Sequence, residues 1–69
     1  MGDTPTTIAA LLDVDIATAQ LAAAASQWAT VAAAVHTGDA SQELLRARWA
    51  TLQAAARELV RAEQALAQS

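Results

Sequence analysis

Two seven-residue apolar repeats, separated by a short polar segment, constrain this chain more than any other feature. A seven-residue repeat keeps one face of a helix against a partner helix. Gly38 is the only glycine between the two repeats, so the sequence predicts an all-α fold, an antiparallel helical hairpin. The first repeat consists of Val14, Leu21, Trp28 and Val35. The second consists of Leu45, Leu52, Leu59 and Leu66.

Capping signals predict where the two helices begin and end. Thr4 followed by Pro5 is typical of an N-cap and a first helical residue. Asp39 followed by Gln42 is typical of a reciprocal N-cap, and Gly38 suits the left-handed conformation that ends many helices. We therefore predict a single domain over 1–69, with a helix, a turn and a second helix at 5–37, 38–39 and 40–67.

A register that brings the two tryptophans together predicts the packing. Most layers then combine a large side chain with a small one, as interior packing density requires. The layers are Ala32 with Leu45, Trp28 with Trp49, Ala25 with Leu52, Leu21 with Ala56, Thr18 with Leu59 and Leu11 with Leu66. The predicted hairpin core is Leu11, Leu21, Trp28, Leu45, Trp49, Leu52, Leu59 and Leu66.

A second apolar stripe, Ile8, Leu12 and Ile16, lies on the side of the first helix away from the predicted seam. A single core in a chain this short rarely contributes more than about 3–5 kcal/mol. The stripe therefore needs a cover, and we predict that two hairpins dimerise into a four-helix bundle. The alternative is a break near residues 13–15 that folds Ile8 and Leu12 back onto the chain's own core.

The charges are distributed unevenly along the chain, whose formal net charge is −3. Asp13 and Asp15 lie in the first helix, and no arginine or lysine precedes Arg46. Complementary fields fix the orientation of a partner more than its affinity. An alternative function is therefore a small acidic regulator or inhibitor that binds a basic protein surface through Asp13 and Asp15. The simpler interpretation is a solvated surface that keeps the hairpin soluble.

The segment 7–21, TIAALLDVDIATAQL, resembles the helix-turn-helix motif of bacterial repressors. The resemblance implies DNA binding, with 16–25 as the recognition helix. The segment departs from the motif because Asp13 stands where the turn glycine is usual. Residues 16–25 also contain no arginine or lysine, the residues that supply most non-specific affinity for DNA. Nucleic-acid binding is therefore the least favoured of the three functions.

Residues suited to catalysis or metal binding are scarce. The chain has no cysteine, and its one histidine, His36, is expected to end the first helix. Asp13 and Asp15 are two residues apart and do not share a helix face. We predict no enzyme activity, no cofactor and no metal site. The favoured function is a protein-protein interaction module that self-associates or docks into a larger complex.

Composition indicates the source and location of the chain. It contains 21 alanines but no lysine, asparagine, phenylalanine or tyrosine, which is typical of a GC-rich genome such as that of an actinobacterium or its phage. No basic region resembling a secretory signal is present at the start, so we expect a cytoplasmic or virion-associated protein. Residues 16–38 lack charged side chains over a length that could span a bilayer. They also lack a basic flank, so no membrane span is expected.

Overall fold

The computed structural model describes residues 3–68, with side chains from residue 7 onward. It contains two α-helices, α1 (Asp3–His36) and α2 (Gln42–Ala67), which pack against each other. The resulting hairpin measures 57 × 13 × 11 Å. No residue in the described range forms a strand, and the prediction of an all-α hairpin is confirmed.

The first helix, α1, is continuous over its 34 residues. Residues 13–15 are helical, so the alternative break at this point is wrong. Alanine, the best helix former, recurs through the segment. The hydroxyl groups of Thr18 and Thr30 donate to backbone carbonyls four residues earlier, so these polar side chains do not interrupt the helix. The helix-turn-helix resemblance over 7–21 consequently lacks its turn.

The start of α1 differs from the predicted start at residue 5. The helix includes Asp3, so Thr4 lies inside it rather than at the N-cap. Proline is compatible with this position, because the backbone N–H groups of the first turn have no partner within the helix. Pro5 therefore removes no hydrogen bond that the helix needs.

The interface between the helices combines small side chains of α1 with large side chains of α2. Ala10, Ala17 and Ala24 are buried and recur every seven residues. On α2 no residue is fully buried. The four leucines of its repeat, Leu45, Leu52, Leu59 and Leu66, are half-buried. Small residues on one helix let the backbones approach, and leucines on the other fill the remaining space.

Three of the α1 residues that the predicted register places in the interface are displaced by one position. The register placed Leu11, Thr18 and Ala25 in the interface, whereas the structure buries the alanine before each of them. Leu11 is 52% exposed, so its assignment to the hairpin core is wrong. Both choices fit a heptad around Leu21 and Trp28. The alanines lie in the interface because a methyl group lets the two helices approach more closely than a leucine side chain would.

The tryptophans form the contact that the sequence predicts. The ring centroids of Trp28 and Trp49 are 5.7 Å apart, and the ring planes are inclined at 55°. Such a pair contributes about 0.5–1.5 kcal/mol beyond its buried area. Trp28 is half-buried, as is Leu21, but Trp49 keeps 47% of its surface exposed. The predicted core position of Trp49 is therefore a position at the edge of the interface.

Residues 37–41 connect the helices, and a glycine motif ends α1. The N–H of Gly38 donates to the Val35 carbonyl at 3.1 Å, and the N–H of Asp39 donates to the Ala34 carbonyl at 2.7 Å. These two bonds define a Schellman motif. Gly38 has φ +83°, the left-handed conformation that the sequence predicts for it.

The N-cap of α2 is Ser41, so the prediction of Asp39 is wrong. The Ser41 hydroxyl accepts a hydrogen bond from the N–H of Leu44 at 3.1 Å. The Asp39 carboxylate instead accepts from the Thr37 hydroxyl at 2.9 Å. Because Asp39 is held by the turn, α2 begins at Gln42 rather than at residue 40.

Candidate interaction surface

Side chains suited to catalysis are dispersed over the hairpin. Within residues 7–68, no group of three or more His, Cys, Asp or Glu side chains could hold a metal ion. His36, at the last residue of α1, is exposed, and so are Asp13 and Asp15. The same range has no buried polar side-chain atom without a hydrogen-bond partner.

Three large aliphatic side chains of α1 are exposed in the hairpin. Ile8, Leu12 and Ile16, the predicted contact residues, are each more than half exposed. Their four-residue spacing places them along one side of the helix. We name these three residues the outer stripe. In the described part of the chain, nothing covers them.

Apolar residues surround α1 on all sides. The segment Thr7–His36 is long and apolar enough to cross a membrane by length and composition, and its most apolar window has a mean hydropathy of 1.5. This is weak evidence, because core helices of soluble proteins and signal sequences meet the same criteria of length and hydropathy. Only 17% of the most apolar window is buried in the hairpin. Most of this apolar surface is therefore uncovered.

The charged side chains form few contacts within the hairpin. The salt bridge present in the described range joins Arg61 to Glu58 at 3.1 Å, both on α2 and both exposed. Exposed pairs of this kind contribute about 0–1 kcal/mol. Asp13 lines a surface groove with Arg61 but does not pair with it. Asp13 and Asp15 thus keep their charges available at the surface.

A second apolar surface, which the sequence reasoning missed, lies on one side of the hairpin. At the turn end, Trp28, Leu45, Arg46 and Trp49 line a groove. Val60 lies about three turns further along α2 and is 51% exposed. We name the side of the hairpin that presents Trp49 and Val60 the tryptophan flank. The signal that could have identified it is the three- and four-residue spacing of the residues around Trp49.

Comparison with known proteins adds no relative. No protein-family model matches the chain, and no curated protein and no solved structure matches it. The fold shows an all-α protein built as a two-helix hairpin. Its function has to be inferred from the surfaces described above.

Proposed function

We propose that this chain is a non-enzymatic assembly module that self-associates, or docks as a small subunit into a larger protein complex. Its first partner is a second copy of itself, and two hairpins form a four-helix bundle. The outer stripe carries the proposal, because Ile8, Leu12 and Ile16 are all more than half exposed. Exposed aliphatic residues that adjoin one another mark protein interaction sites more often than isolated ones do.

The composition of the buried core supports association. The buried residues in the described range are three alanines, Ala10, Ala17 and Ala24. Apolar burial contributes about 25 cal/mol per Å², and an alanine has little apolar area to bury. A bundle gives each helix two neighbours instead of one. Association would therefore add the apolar contacts that the single hairpin lacks.

The charged side chains of α2 argue for a location in water rather than in a bilayer. Charged side chains are costly in the hydrocarbon core, and α2 carries seven of them between Glu43 and Glu63. To enter a membrane, α1 would have to separate from α2 and lose the leucine-alanine interface. We therefore propose a cytoplasmic module, or a virion-associated one if the source is a phage.

The solution mass of the wild type and of Leu12→Glu tests this function. Light scattering across protein concentrations should give a wild-type mass above that of one chain. Leu12→Glu should reduce that mass, because the substitution places a charge in the middle of the outer stripe. Gln27→Glu is the matched control, since it adds the same charge at an exposed position of α1 outside the stripe.

The alternative is a small acidic regulator that binds a basic protein surface. The observation in its favour is that Asp13 and Asp15 are exposed and form no salt bridge in the described range. A wild type that stays monomeric at every concentration would contradict self-association and favour this alternative. DNA binding has less support, because α1 contains no arginine or lysine to contact phosphates.

A further inference from the structure

A second seven-residue pattern runs along α2 beside the leucine repeat. Its positions alternate in steps of three and four residues, which keeps them on one face of the helix. All are exposed except Ala56, which is half-buried, so α1 leaves this face largely uncovered. The face belongs to the tryptophan flank and consists of Arg46, Trp49, Gln53, Ala56, Val60 and Glu63.

The pattern is complementary to itself when it is reversed. Consider two copies of α2 laid antiparallel about an axis midway between Gln53 and Ala56. Trp49 then meets Val60 of the second copy, and Arg46 meets Glu63 of the second copy. Symmetry forms each contact twice. The apolar pairs lie nearer the centre and the ion pairs at the ends, as in protein interfaces with a polar rim.

Arg46 and Glu63 cannot satisfy each other within one chain. About 26 Å of helix separates them at 1.5 Å per residue. Neither residue takes part in the salt bridge that the described range contains, which joins Arg61 and Glu58. Two opposite charges therefore stand at the two ends of one apolar face. Only a second copy in the antiparallel orientation brings these two residues together.

The first helix contributes suitable side chains to the same flank. Asp13 marks the opposite side, because it lines a groove there with Glu58 and Arg61. Leu11 lies about 160° away from Asp13 around the helix, since each residue advances about 100°. In the two-fold arrangement α1 also runs antiparallel to α1 of the second copy. Because Trp28 lies beside Trp49, the same axis passes near residues 22–23 of α1, and Leu11 lies level with about residue 34 of that helix, in its alanine-rich half.

We infer that the tryptophan flank is the two-fold contact between two copies of this chain, held antiparallel by reciprocal Arg46–Glu63 pairs. The inference rests on the proposed function, because it requires self-association. A parallel arrangement would place each charged residue beside the same residue of the second copy, and like charges across an interface are unfavourable. The outer stripe, which the proposed function uses as a contact with another copy, lies on another side of α1, so copies that use both surfaces assemble beyond the dimer.

Charge exchange at these two positions tests the interface. Arg46→Glu and Glu63→Arg are each prepared as single variants, and both sites are exposed in the hairpin, so the fold tolerates them. Each variant alone should dimerise about tenfold more weakly, because two attractive pairs become repulsive. An equimolar mixture should recover wild-type association, since the mixed dimer restores both pairs. Arg57→Glu, an exposed change on α2 outside the pattern, is the matched control.

Sedimentation across concentrations distinguishes the outcomes. Weak association of both single variants with recovery on mixing supports the inference. Single variants that associate like the wild type, or a mixture that does not recover, would overturn this interface while leaving self-association intact. A wild type that is monomeric throughout would overturn the interface together with the proposed function.

Discussion

The two helices of this hairpin differ in how much of their apolar surface the other helix covers. α2 is amphipathic, with leucines against α1 and seven charged residues distributed over its length. α1 is longer and more apolar, and its buried residues are alanines while Ile8, Leu12 and Ile16 are more than half exposed. A helix that is apolar all round is usually buried on all sides.

This difference teaches that large side chains and buried positions need not coincide. On α1 the buried positions are alanines, and Ile8, Leu12 and Ile16 are exposed. On α2 the leucines of the repeat lie at the interface. The small residues of α1 permit the helices to approach closely, and the half-buried leucines of α2 fill the space beside them. The three sets of substitutions below test how the two helices differ.

The tryptophans give the largest expected effect. Trp28→Ala should lower the free energy of unfolding by about 3 kcal/mol, the low end for tryptophan truncation, because Trp28 is half-buried. Trp49→Ala should cost about 1 kcal/mol, mainly the loss of the ring pair. Both are measured by denaturant unfolding at one protein concentration, because association adds apparent stability. Equal losses would mean that the two helices contribute alike.

An added side chain at a buried alanine should have the next largest effect. Ala17→Leu should lower the stability by about 2 kcal/mol, because the larger side chain forces apart helices that meet at a methyl group. Ala19→Leu is the matched control, since it makes the same change at an exposed position of α1. Thermal unfolding followed by circular dichroism compares them. If Ala17→Leu is as stable as the control, close approach at alanine is not what holds the hairpin together.

The smallest effect concerns the turn, where α2 depends on a side chain and α1 ends on backbone hydrogen bonds. Ser41→Ala should lower the stability by about 1 kcal/mol, because the N–H of Leu44 loses its acceptor. Asp39→Ala should cost less, since it removes a carboxylate that accepts from the exposed Thr37 hydroxyl and leaves the backbone bond of residue 39 in place. The same denaturant titration measures both. A greater loss of stability from Asp39→Ala than from Ser41→Ala would indicate that Asp39 is the N-cap of α2.

The hairpin itself was predictable because the seven-residue leucine repeat of α2 has one interpretation. The tryptophan contact and the left-handed Gly38 were predictable for similar reasons, since each residue type suits one local role. The exact seam of α1 was not. A seven-residue repeat around Leu21 and Trp28 can be completed by either of two sets of residues. Hydrophobicity favoured the set that begins at Leu11, whereas the structure buries the alanines that begin at Ala10.

The candidate surfaces were predictable only in part. The outer stripe follows from the four-residue spacing of Ile8, Leu12 and Ile16, and their exposure agrees with that expectation. The tryptophan flank could not be found from hydrophobicity, because Arg46, Gln53 and Glu63 interrupt it. Its complementarity becomes visible only when the exposed face of α2 is known and compared with its own reverse.

The contact between Trp28 and Trp49 gives the hairpin an optical signal of its own. The chain contains no tyrosine and no phenylalanine, so these two indoles account for its near-ultraviolet aromatic signal. With centroids 5.7 Å apart, their electronic transitions couple while the hairpin is closed and uncouple when the helices separate. Near-ultraviolet circular dichroism thus reports helix pairing and far-ultraviolet circular dichroism reports helix content. Separation of the helices can be followed apart from their melting, without a label.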